Sequence, residues 1–71
     1  MKARFFSISN ELKWLVAEQN NEPVGITGYM SRNGNGRFFG VYVLPEHRME
    51  RMGSTLMRVV LDEARRRGLK V

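Results

Sequence analysis

The 71-residue chain is 42% hydrophobic and 27% charged, which makes it one small globular domain rather than a disordered segment. It has no cysteine, which excludes disulfides and cysteine-held metal, and no metal site is expected. No stretch approaches the ~20 apolar residues of a membrane span or forms the apolar run of a signal peptide, so a cytoplasmic protein is expected.

Twelve Lys and Arg against seven Asp and Glu leave a net charge of +5, which favours anionic partners such as a phosphorylated cofactor, nucleic acid or a membrane surface. A chain of this size buries only roughly 60% of the surface it exposes when unfolded, so self-association is the expected reinforcement.

Residues 1–12 carry Phe5, Phe6, Ile8 and Leu12 without a sustained period, which reads as a short strand or a turn of helix. Residues 13–18 (KWLVAE) are rich in strand formers and lead into the turn formers Gln19 to Pro23. A returning strand follows over residues 24–30 (VGITGYM). The next loop, SRNGNG, is looser and leads into a strand rather than a helix, so its glycines read as turn residues and not as a phosphate loop.

Residues 37–44 (RFFGVYVL) read as one strand with Phe39, Val41 and Val43 on one face and Phe38, Tyr42 and Leu44 on the other. Neither face is polar, so this strand is expected to be covered on both sides. Pro45 ends it, and a charged turn of Glu46, His47, Arg48, Met49, Glu50 and Arg51 follows.

A helix over about 52–67 has an apolar arc wider than that of a simple surface helix, and Gly68 supplies the left-handed stop. Asp62 is spaced to pair with Arg58 and Arg66 on the solvent side, and the arginine-rich helix end reads as a solvated face. Residues 69–71 begin a further strand, which a right-handed crossover would set parallel. The whole is α+β: three antiparallel strands over 13–18, 24–30 and 37–44, a helix, and the start of a parallel strand.

A strand feeding a helix presents free backbone N–H groups at the positive end of the helix dipole, a setting suited to pyrophosphate. Gly53 and Ser54 leave room there, and Arg48 and Arg51 add charge. These residues resemble the GNAT superfamily of acyl-CoA-dependent N-acetyltransferases. Its signature turn follows a strand ending V-x-P and reads Q/R-x-x-G-x-G/A. Here Val43-Leu44-Pro45 precedes Arg48-Met49-Glu50-Arg51-Met52-Gly53, and the hairpin of residues 14–28 looks like the two family strands before it.

The resemblance covers roughly residues 13–71 and implies a single GNAT-like domain, 1–71, without the usual C-terminal part of the family fold. It implies acetyl transfer from acetyl-CoA to an amine acceptor. The cofactor would be held by Val41 and Val43 along the strand and by Arg48, Met49, Arg51, Met52, Gly53 and Ser54 at the turn. A homo-oligomer would complete the sheet.

The departures are specific. Arg51 stands in the first signature-glycine position, Met49 where many members have another glycine, and Glu50 at an often basic position. Arg37 lies about where some members carry a catalytic glutamate, so no base transfers by position. Tyr42, Glu46 and His47 are the nearby substitutes, although a lone histidine in a polar turn is more often simply exposed. The alternatives are a non-catalytic remnant or binding module and, from another class, a small basic nucleic-acid-binding protein. The last is disfavoured because Phe38, Phe39 and Tyr42 are expected on two different faces.

Overall fold

The computed structural model describes residues 2–70. Five strands form one antiparallel sheet: β1 (Lys2–Ser7), β2 (Leu12–Gln19), β3 (Glu22–Arg32), β4 (Asn35–Phe38) and β5 (Tyr42–Val43). The order is β1-β2-β3-β4, with β5 also paired to β3. A 3-10 turn over Pro45–Glu50 leads into the helix α1 (Met52–Arg66). The α+β architecture read from the sequence is therefore the observed one, and the N-terminal segment is a strand.

The β2–β3 and β3–β4 hairpins each turn on two residues with positive φ: Asn20 (53°) and Asn21 (66°), then Asn33 (54°) and Gly34 (79°). Paired positive φ values are the signature of the type I′ turn, whose twist matches that of the flanking strands. The second loop is thus tighter than expected, and β3 runs on to Arg32. Pro23, which cannot donate a ladder bond, sits opposite Glu18 where the β2–β3 register shifts.

The expected single strand over 37–44 is corrected by the structure. It is interrupted at Phe39–Val41, and the register against β3 slips by one residue between Tyr29↔Phe38 and Gly25↔Val43. One extra residue flips the alternation of side chains beyond it. Phe38 and Val43 consequently both lie against the core, while Phe39 stacks on Trp14 and Tyr42 stands opposite Ile26. Phe39 and Tyr42 therefore share a face, contrary to the alternation expected of an unbroken strand.

Helix α1 buries Met52, Leu56, Val60 and Ala64, one residue per turn, against Leu15, Tyr29 and Val43. Gly25 permits the close approach, since a Cβ there would lie 3.0 Å from Leu56 Cδ1. Val59 packs at the margin of this core. The sheet is covered by α1 on this side; on the other, Phe6, Ile26 and Tyr42 are exposed, which corrects the expectation of cover on both sides.

At its C-terminus Gly68 N donates to Arg65 O at 2.9 Å and Leu69 N to Ala64 O at 3.0 Å, with Gly68 at φ +76°. This is the Schellman closure the glycine predicted. Arg66 pairs with Glu63 rather than Asp62, and that hydrogen bond and charge raise the Arg66 pKa. Lys70 then bridges Asn35 in parallel, the direction expected for the strand begun at Leu69; Val71 lies outside the described residues.

Candidate functional site

The turn between β5 and α1 is shaped by three backbone events. Pro45 starts the 3-10 turn, Arg51 at φ 59° and ψ 20° reverses the chain, and α1 begins at Met52. The left-handed region costs an L side chain energy that glycine does not incur, which is the physical reason a glycine suits position 51. Arg51 adopts the conformation anyway and its side chain is exposed.

Thr55 N is the first helical donor to find an acceptor within α1's own ladder, bonding Arg51 O at 3.1 Å, and no side chain caps the helix. The N–H groups of Met52, Gly53 and Ser54 thus lack intrahelical acceptors and sit at the positive end of the dipole. Beside them a shallow groove of about 570 Å³ is lined by Val41, Gly53, Ser54, Met57 and Arg58 among others. A Cβ on Gly53 would meet only Val41 Cγ1, at 3.6 Å, so the groove side of this glycine is open.

Free amides, an open glycine and the cations of Arg58 and Arg65, which outnumber the carboxylate of Asp62 in the same groove, fit an anionic, phosphorylated group. Val41 reaches this groove, whereas the Val43 side chain is buried in the core, so only its main chain is available to a ligand.

The charged side chains of the turn are spent differently. Arg48 donates Nε–H to the carbonyl of Val43 at 2.9 Å and lays its guanidinium 5.5 Å from the centre of the Tyr42 ring. His47 Nδ1 lies 2.9 Å from Glu50 Oε1, so the carboxylate that stands at an often basic position has a partner within the turn. Met49 is 97% exposed and touches little. Of the three substitute catalytic groups, Tyr42 lies on the sheet face away from α1 beneath Arg48, His47 is engaged with Glu50, and Glu46 is exposed in the first turn. Among the described residues no hydrogen bond or ion pair joins any two of the three.

Two features of the site escaped the sequence reading. The bulge at Phe39–Val41 was signalled only by Gly40, a glycine inside an apolar strand pattern. The Arg48–Val43 link left no signal, because it joins a side chain to a carbonyl.

No curated protein and no solved structure matches the chain. A family model does, that of the acetyltransferase (GNAT) family, and it matches residues 1–71, the hairpins, the bulged strand and the turn together. With the signature turn seated at the uncapped head of α1 and the match running the length of the sequence, the chain belongs to the acetyltransferase (GNAT) family.

Proposed function

We propose that the chain binds acetyl-CoA at the turn between β5 and α1 and serves acetyl transfer to an amine. The observation that carries this reading is the row of uncapped N–H groups at Met52, Gly53 and Ser54 beside an open groove. These amides, with the main chain of Arg48, Met49 and Arg51, would hold the pyrophosphate. The main chain at Val41 and Val43 would lie along the pantetheine arm. Acetyl-CoA supplies an activated acetyl thioester when bound. The groups offered to take the amine's proton are His47, poised by Glu50, then Glu46, with Tyr42 a candidate acid.

Self-association would add cover along the β4–β5 edge beyond the bridge of Lys70 to Asn35, where Val41, Met57 and Leu61 are only half-buried. Light scattering on a size-exclusion column tests it, and a well-folded monomer at micromolar concentration refutes it.

The lack of any hydrogen bond joining Tyr42, Glu46 and His47 among the described residues favours a second reading, in which the domain binds the cofactor without turnover. Isothermal titration with acetyl-CoA, followed by an amine panel, separates the readings. Binding with transfer supports the enzyme; binding without transfer supports the binding module. No heat at millimolar ligand rejects both.

A further inference from the structure

The hairpin loop of residues 31–36 holds two Asn-Gly steps, Asn33-Gly34 and Asn35-Gly36, which the acetyl-CoA site leaves unused. An asparagine followed by glycine is open to an intramolecular reaction. The backbone nitrogen of the glycine, which no side chain crowds, attacks Cγ of the asparagine. The attack needs that nitrogen on the same side of the Cα–C bond as Cβ, at an asparagine ψ of about −120°, which is also the ψ of the first central residue of a type II′ turn.

The two steps differ in what this rotation breaks. Asn33 and Gly34 are the central residues of the type I′ turn, with φ of 54° and 79°. Among the described residues Gly34 N donates to no acceptor. Turning the peptide plane between them converts type I′ to type II′ and leaves the flanking pair Arg32↔Asn35 in place. Both residues are exposed, and a Cβ on Gly34 would meet nothing within 4 Å, so water reaches the turn.

Asn35, by contrast, lies in β4. Gly36 N donates to Lys70 O at 2.6 Å, and Lys70 N donates to Gly34 O at 2.9 Å. The same rotation at Asn35 breaks the first of these bonds and pulls Gly36 from Ser31, its partner in register. Every bond in this contrast lies within residues 31–36 and Lys70. Asn20 also sits in a type I′ turn, but its successor Asn21 carries a side chain that crowds the attacking nitrogen.

Charge favours the same step. A groove of about 450 Å³ at this hairpin is lined by Asn33 together with Arg32 and Arg37, and among the described residues no carboxylate lines it. Gly34 N gives up its proton as it attacks, and two nearby cations favour both the anion that forms and the carboxylate left at the end.

We propose that Asn33 is a site of spontaneous deamidation. Gly34 N bonds to Asn33 Cγ, its proton passes through water to the departing side-chain nitrogen, and ammonia leaves as a succinimide closes. One water then opens the ring at either carbonyl and leaves aspartate or isoaspartate at position 33. The isoaspartyl form carries the main chain through the former side chain, which lengthens a two-residue turn by one methylene.

The full chain is incubated at mildly alkaline pH in heavy-oxygen water beside a synthetic peptide of residues 31–38, in which neither step is held by Lys70. Circular dichroism confirms that the chain stays folded, and fragmentation mass spectrometry reads the label at each asparagine. The expected ratio of labelling rates, Asn33 over Asn35, is at least about tenfold higher in the folded chain than in the peptide. Asn33 should also outpace Asn20, and part of its product should be isoaspartate. The proposal is overturned by a ratio no higher than the peptide's, or by an unlabelled Asn33 once the peptide has reacted. Labelling of Asn20 as fast as Asn33 overturns it too, as does a product that is aspartate alone, the mark of direct hydrolysis.

Discussion

Arg48 donates its Nε–H to the carbonyl of Val43 across five residues, at 2.9 Å, and this one bond ties the end of the sheet to the turn that precedes α1. The same side chain lies over Tyr42, so it fixes β5 from both its backbone and its exposed face. Arg48→Met keeps much of the aliphatic stem but removes the donor and the charge. A charge-assisted bond of this partly exposed kind contributes about 1 kcal/mol. The expected outcome is a loss of that order in urea unfolding, with amide exchange over residues 45–51 accelerated before any ligand is added. Unchanged exchange in the turn would show that the 3-10 segment holds itself.

Arg51→Gly should stabilise the protein. The left-handed conformation at φ 59° costs a non-glycine residue roughly 1–2 kcal/mol, whereas glycine's extra freedom in the unfolded chain returns about 0.5–1 kcal/mol of that. The side chain is exposed, and the Arg51 carbonyl keeps its bonds from Thr55 N and Thr55 Oγ1 whatever residue stands there. The net expectation is a gain of about 0.5–1 kcal/mol, read as a higher urea midpoint with an unchanged slope. A lower midpoint would mean that the guanidinium makes a contact worth more than the strain.

How far the sequence led depends on which physical signal each feature leaves. The hairpins were legible because Asn20-Asn21 and Asn33-Gly34 are among the few pairs that tolerate two positive φ values. The helix and its stop were legible from the spacing of Met52, Leu56, Val60 and Ala64 and from Gly68. The run Arg37 to Leu44 was misread because every residue but two is a good strand former, and a bulge changes register without changing propensity. That single slip moved Tyr42 onto the face of Phe39 and left the expected two-sided strand covered on one side only. At the turn a strand feeding a helix is enough to expect unpaired N–H groups at the helix start, but the pairing of His47 with Glu50 and of Arg48 with Val43 depends on side-chain rotamers that spacing does not encode.

Gly28→Ala tests the uncovered face. A Cβ at this position would lie 2.6 Å from Trp14 Cε3 and 2.8 Å from the carbonyl oxygen of Lys13. The second contact is with backbone, so a rotamer change of the indole alone does not relieve the clash. Forcing β2 from β3 here should cost about 1–3 kcal/mol, within the usual range for overpacking. The Trp14–Phe39 stack should loosen at the same time, so the near-ultraviolet dichroism of Trp14 should weaken along with the thermal midpoint. A full-strength aromatic signal at unchanged stability would contradict the close indole–glycine contact.

Gly53→Asp separates the needs of the helix from those of a ligand, because the two have opposite signs. Residue 53 is the second position of α1, where no acidic side chain now stands, and a carboxylate in the first turn interacts favourably with the dipole by about 0.3–1 kcal/mol. Glycine is also a poor helix former, so its replacement adds to the gain. The only nearby atom is Val41 Cγ1 at 3.6 Å, which leaves space for the new side chain. Stability should therefore rise. The same carboxylate would occupy the mouth of the amides at Met52, Gly53 and Ser54 and repel a pyrophosphate, so acetyl-CoA affinity should fall by at least about tenfold, or 1.4 kcal/mol. Thermal unfolding and isothermal titration on one preparation check both signs. A variant that is more stable and still binds acetyl-CoA as tightly as the parent would move the cofactor away from the head of α1.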